Sequence, residues 1–202
     1  MESPMQPTCD VVSISPLLLA LTQAELTRPQ IPLRMREMFD VVHGWVRDAP
    51  VRQAGHNYAL YDRCTPQALR VQVGFPVSGR FPDTERVKCV ELGAGRAAHA
   101  VHLGSYADLH RTYAVLHPWC ARQGLALTGE SWEVYGDPRE DPSKLATELF
   151  LRRVESRVLG QAKESSFDIE RMGNVMKRVL CSIGNFYETL HFSEDKGSCF
   201  VV

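Results

Sequence analysis

The chain has 202 residues, of which 44% are hydrophobic and 23% charged, and its 23 basic and 24 acidic residues leave a net charge of −1. Such a composition excludes a disordered chain and suits one domain, or one domain with an appendage. It carries no basic excess to hold a phosphate backbone, so nucleic-acid binding as a main role is set aside and no direct DNA contact is expected.

Met1 to Asp10 has no positive leader, and the nearest apolar run, Leu17 to Leu21, is too short for a signal core or a membrane span. A cytoplasmic protein without membrane attachment is therefore expected. The first β-leaning stretch is Val11 to Leu21. A helix follows, with Met35, Met38, Phe39, Val42 and Val46 as its apolar stripe. Gly55 opens a strand, His56 to Tyr61; a polar turn, Asp62 to Gln67, leads to another, Leu69 to Val77. Pro76 to Pro82, with Gly79 inside it, reads as a linker. A second apolar stretch, Val87 to Leu103, contains the turn Gly93-Ala94-Gly95. The next helix carries Tyr106, Leu109, Tyr113, Leu116 and Cys120 at three- and four-residue spacing. Ser105 is its expected N-cap, Asp108 its capping-box acid and Gly124 its stop. Gly129 then opens Glu130 to Tyr135, a turn spans Gly136 to Ser143, and Lys144 to Val154 is the last strand. Beyond it, Phe167 to Leu190 has a helical apolar pattern, with Ser165 or Ser166 as cap. Docking on the domain is the plain role for this helix; covering the pocket and pairing with another subunit are the alternatives.

The two halves repeat. A shift of 74 residues places Val41 on Val115, His43 on His117, Trp45 on Trp119, Gly55 on Gly129 and Tyr61 on Tyr135. These are five identities within residues 39–61, where typical composition would give about one or two. With two more residues in the second loop, Val71-Gln72-Val73 falls on Thr147-Glu148-Leu149. Two β-α-β-β copies, about 10–77 and 86–154, predict an α+β fold. The antiparallel sheet would carry two helices on one face, with a pseudo-two-fold axis and a ligand groove near it. Residues 1–154 form this domain and 155–202 a C-terminal extension with one amphipathic helix.

Charge breaks the repeat. Glu133 stands where the first copy has Ala59, and Glu148 where it has Gln72. An acid among apolar neighbours, as in Thr147-Glu148-Leu149-Phe150-Leu151, is costly unless solvated, paired or functional. Aromatic residues gather in the same copy, and rings around a carboxylate suit a flat, apolar, cationic ligand. The candidate ligand-binding set is Glu148, Glu133, Trp132, Tyr135, Tyr106 and Tyr61; Tyr113 and Phe150 read as core. Strand alternation puts Glu133 and Tyr135 on one face and Trp132 on the other, so Trp132 joins a common pocket only if the strand bends.

Other chemistry is set aside. The cysteines at 9, 64, 89, 120, 181 and 199 form no CxxC pair and match no zinc module, and without a secretion signal no disulfides are expected. His99 and His102 lie three apart on one strand, hence on opposite faces, and cannot share a metal. His43 and His117, at equivalent helix positions, read as structural residues that cap the stripe with a hydrogen bond. No phosphate loop, nucleophile elbow or cofactor motif is present, so no metal or cofactor is expected.

The stretch from His99 to Tyr106, then Leu109, Tyr113 and Trp119, then Ser131-Trp-Glu-Val-Tyr135, Asp137-Pro138 and Thr147-Glu-Leu-Phe-Leu151, resembles the GyrI-like domain. This is the AraC-type effector-binding domain of the SOUL/GyrI superfamily. Ala59-Leu-Tyr-Asp62 and Val73-Gly-Phe-Pro-Val77 look like the same family's first-half strands, and the likeness runs from near 10 to near 154. It implies the duplicated fold and a pocket for a small hydrophobic or cationic compound. Glu133 and Glu148 match the family's pocket acids, and Tyr106, Trp132 and Tyr135 its aromatic or pocket-edge positions. The family's sensing activators carry a helix-turn-helix ahead of this domain; with the likeness beginning near Met1, none is expected here. Sensing or sequestering a drug-like compound is the first functional expectation. Hydrolysis of cyclopropane-bearing genotoxins, with Glu148 or Glu133 as general base, is the second. A gyrase-modulating protein contact is the third. A homodimer or a separate protein partner is left open.

Overall fold

The computed structural model describes residues 7–64 and 68–155. The helix expected over 167–190 lies outside the described residues. The fold is α+β. Its strands are β1 (Cys9–Ile14), β2 (Leu17–Leu26), β3 (Asn57–Cys64), β4 (Leu69–Pro76), β5 (Lys88–Leu92), β6 (Gly95–Leu103), β7 (Leu127–Tyr135) and β8 (Ala146–Arg153), and its α-helices are α1 (Ile31–Val46) and α2 (Leu109–Arg122). One antiparallel sheet runs β1-β6-β8-β7-β3-β4-β2-β5.

Each β-leaning stretch that opens a half is two strands, the second divided at the turn expected there. Val11–Leu21 breaks at Ser15-Pro16, where proline cannot donate to a ladder, and Val87–Leu103 breaks at Gly93-Ala94. The pairing stays in step across both breaks, because Ile14 faces Gly95 and Leu17 faces Leu92. The sheet therefore curls until its two ends meet. Inside the curl Leu19, Leu21, Leu60, Leu92, Trp132 and Phe150 pack into one core cluster. Gly74 lets β2 come close, since a Cβ there would lie 1.8 Å from the Ala20 carbonyl oxygen.

The helices cover the other face. α1 packs on β2 and β4, and α2 packs on β6. Met38 of α1 packs with Ala59, Tyr61, Val71 and Val73 of the sheet, and Leu109 and Leu116 of α2 pack with Ala98, Ala100 and Leu149. Ala59, Glu133, Leu149 and Ala100 face one another across four strands, so both helices share one face. The central strands β3 and β7 form the floor between them.

The expected ends of α2 are met in part. Ser105 Oγ accepts the Ala107 N–H at 3.3 Å, at the head of a short 3-10 turn, Tyr106–Asp108, that precedes the helix. Asp108 does not reach back to close a capping box; it pairs with Arg111 at 3.1 Å. Gly124, at φ +64°, takes the left-handed conformation that ends the helix, and Leu125 N–H bonds to Cys120 O at 3.0 Å. No helix among the described residues is long and apolar enough to cross a membrane.

Candidate functional site

Glu133 sits in the middle of the floor between the helices and is 1% exposed. Strand alternation points it to the same side as Tyr135. Three phenols donate to its carboxylate: Tyr135 at 2.6 Å, Tyr113 at 3.0 Å and Tyr61 at 3.2 Å. They come from β7, α2 and β3, so sheet and helix converge on one acid. The Tyr135 phenol also lies 3.4 Å from Met35 Sδ on α1. Tyr106 and Phe39 meet the Tyr135 ring edge-on, at centroid distances of 5.4 and 6.0 Å. Tyr106 is 42% exposed and stands at the rim.

The electrostatics follow from burial. Loss of water pushes the Glu133 carboxyl above the ordinary Glu range, and the phenols of Tyr135, Tyr113 and Tyr61 pull it part of the way back. The same burial, with the Glu133 charge beside them, lifts all three phenols well above the ordinary tyrosine range. The phenols therefore remain donors and the acid is the group that titrates.

The six sequence candidates divide between two faces. Glu133, Tyr135, Tyr61 and Tyr106 come together. Glu148 and Trp132 do not join them, because β8 pairs with β7 in the register that sets Glu148 opposite Val134 and Leu149 opposite Glu133. Trp132 lies inside the curl, 1% exposed, stacked on Phe150 at 5.0 Å and with the Arg152 guanidinium 5.0 Å from its ring centroid. β7 does not bend to bring it round. Glu148, with its side chain 49% exposed, belongs to a chain of contacts on that opposite face. His99 Nε2 lies 3.1 Å from Glu148, and His99 Nδ1 lies 2.9 Å from Asp10. The acids bind opposite edges of the ring and cannot converge with it on one ion. Among the described residues no group of His, Cys, Asp and Glu could hold a metal.

Sequence reasoning assigned Tyr113 to the core, and it is a donor to Glu133. Its place in the α2 stripe put it on the sheet-facing side, but only the distance between helix and sheet shows that its hydroxyl reaches β7. Met35 and Phe39, read only as helix stripe, are also part of the wall. His43 and His117 make ring contacts, with Phe75 at 4.9 Å and Tyr113 at 6.0 Å. A surface groove of about 590 Å³ along α1, lined by Glu37, Asp40, Trp45, Glu85 and Arg86, includes none of the Glu133 cluster. Its lining brings no set of polar groups onto one point, whereas three phenols converge on Glu133, which makes that cluster the candidate site.

The family model of the GyrI-like small-molecule-binding domain matches residues 53–153. No curated protein matches the chain in sequence. Among solved structures, the EcmrR C-terminal domain superposes with a TM-score of 0.65 at 15% identity, covering 75% of this chain and 99% of that one. The chain spans 59% of the EcmrR chain in its complex with DNA, with a TM-score of 0.67 at 16% identity and 75% of this chain covered. SAV2435 bound to tetraphenylphosphonium gives 0.56 at 10% identity, covering 73% of this chain and 94% of that one. A hydrolase from Listeria innocua gives 0.50 at 14% identity, covering 74% and 93%. At these identities the likeness is one of fold.

Proposed function

Since the chain belongs to the GyrI-like small-molecule-binding domain family, we propose that it binds a hydrophobic, aromatic cation between α1 and α2, with Glu133 as the counter-charge. The observation that carries this is the single acid, 1% exposed, held by three phenols on the sheet floor. A bare carboxylate in such a place is costly, and the phenols offset only part of that cost. A cation arriving from water supplies the missing charge. The rings of Tyr61, Tyr113, Tyr135, Tyr106 and Phe39 supply flat apolar surface and cation–π attraction. Drug sensing or sequestration is the role that such a site suits, and a soluble, cytoplasmic setting fits it.

The two halves, about 10–77 and 86–154, also read as copies of one unit. The strand order supports this: β6-β8-β7 on one side answers β2-β4-β3 on the other. The register supports it too, because Ala59 and Glu133, which the 74-residue shift equates, face each other. Hydrolysis would employ the same Glu133 as base, but likeness of fold to a hydrolase adds no support for it.

Titration calorimetry with tetraphenylphosphonium tests the binding reading. Opposite charges about 4–5 Å apart at an effective dielectric near 20 attract by about 3–4 kcal/mol, so Glu133→Gln should weaken binding by roughly 100-fold or more. Equal affinity in wild type and Glu133→Gln would refute the role of this acid. Product analysis of cyclopropane-bearing compounds in the same samples reads the hydrolytic alternative.

A further inference from the structure

Two buried hydrogen-bonding atoms beside Glu133 have no partner among the described residues. One is the Thr147 hydroxyl, on a side chain with no exposure, and the other is Asn57 Oδ1. They stand in one row with Tyr135: Asn57 faces it from β3 and Thr147 from β8. The next member of the row, His102, is fully used, with Thr112 Oγ1 at 2.8 Å and the Ser105 carbonyl at 3.0 Å. Glu133 belongs to the adjacent row, between Ala59 and Leu149. Asn57 and Thr147 each lie two residues from those partners, so they occupy the two diagonals from Glu133, about 7–8 Å away between strand positions.

Native folds seldom leave a buried polar atom unpaired, and a site built to bond a ligand's donor is one place where they do. The three groups share a sign. An ionised carboxylate and an amide oxygen only accept, and a hydroxyl has lone pairs to complete the set. We propose that Asn57 Oδ1 and Thr147 Oγ1 form a hydrogen-bond subsite for N–H groups of the bound cation. The subsite would thus select aryl amidines, guanidines or protonated amines over cations whose charge is covered by carbon. This rests on Glu133 as the cation's counter-charge and names the chemical class that site prefers.

The test is calorimetry on the full chain with benzamidinium, its N,N,N′,N′-tetramethyl analogue and tetraphenylphosphonium. Wild type should bind benzamidinium about tenfold or more tighter than the tetramethyl analogue. Thr147→Val and Asn57→Leu should each shrink that ratio by roughly three- to tenfold while tetraphenylphosphonium affinity stays within about twofold. A wild-type ratio near one, or an unchanged ratio in both variants, with phosphonium binding intact, overturns the subsite and leaves the cation reading standing. Loss of every cation from wild type overturns both. Thr147→Val keeps the side chain's shape and carries the test if Asn57→Leu does not fold. Its midpoint of thermal unfolding should match or exceed that of wild type, since the hydroxyl it removes is unpaired; a fall of several degrees would show the hydroxyl already satisfied and overturn the proposal.

Discussion

Replacing Glu133 by glutamine should reverse its effect on stability between acid and alkaline pH. Three charge-assisted bonds at roughly 1.5–3 kcal/mol each favour the carboxylate, against a desolvation cost of several kcal/mol for a fully buried ion. The carboxyl is pushed above its ordinary value near 4.5, so desolvation exceeds the help of the phenols. An acid raised in this way holds its proton more tightly folded than unfolded. Its stabilising contribution is complete below the ordinary value and is lost as pH rises through the folded one. The loss is about 1.4 kcal/mol for each pH unit separating the two values. Glutamine is close in shape and has no such proton to lose. Glu133→Gln should therefore be less favourable, or neutral, relative to wild type near pH 4 and gain on it steadily toward pH 8. Urea unfolding at a series of pH values reads this difference directly. A gap between the two proteins that stays constant from pH 4 to 8, or that moves against glutamine as pH rises, would show that the phenols outweigh burial and refute the reasoning. The same titration bears on ligand binding: below the folded value of Glu133, affinity for a phosphonium cation should fall by about tenfold per pH unit in wild type. It should stay flat in Glu133→Gln.

Other substitutions separate the two faces. Glu148→Gln should leave tetraphenylphosphonium affinity within about twofold by calorimetry and stability within about 1 kcal/mol, since Glu148 is a half-exposed partner of His99 on the opposite face. Trp132→Ala should cost about 3–5 kcal/mol in urea unfolding, because it removes a buried ring that packs on Phe150 and Arg152 inside the curl, with no direct loss of ligand contact. Gly74→Ala should cost more than about 3 kcal/mol in the same assay, or prevent folding, because its Cβ would overlap the Ala20 carbonyl and nothing flexible there can give way.

The local elements were legible because they are periodic. The stripe Met35–Val46 lies on α1 and the stripe Tyr106–Cys120 on α2 and the turn leading into it, and alternation in Ser131–Tyr135 separates Trp132 from Glu133 without any structure. The face taken by Glu148 was not legible. It depends on how β8 registers against β7 across the loop 136–145, and no local pattern sets that offset. Nor was the closure of the sheet, which requires residues far apart in sequence, Ile14 with Gly95 and Leu17 with Leu92, to stay in step past Ser15-Pro16 and Gly93-Ala94. Tyr113 packs against the core as its stripe implies, but periodicity tells only which side of a helix faces the sheet, not that a phenol on it reaches an acid on β7.

On the reading of the halves as copies, the place of Glu133 explains why the acid occurs once. Ala59 and Glu133 are the pair the 74-residue shift equates, and they are also direct partners across the central strands. A position and its own copy meet in this way only at the symmetry axis. An acid retained in both halves would put two buried carboxylates about 5 Å apart, where like charges cannot both ionise cheaply. Alanine on one side leaves room for a single charge that phenols from both halves can reach: Tyr61 and Tyr135, themselves equated by the same shift, both donate to it. The scaffold thus delivers symmetric donors to an asymmetric acceptor. Ala59→Glu puts this to the test: crowding a second carboxylate beside Glu133 should destabilise the fold by several kcal/mol at pH 8 and by much less near pH 4, where the pair can share protons. An equal cost at both pH values would place the damage in packing alone and remove the electrostatic reason for the broken symmetry.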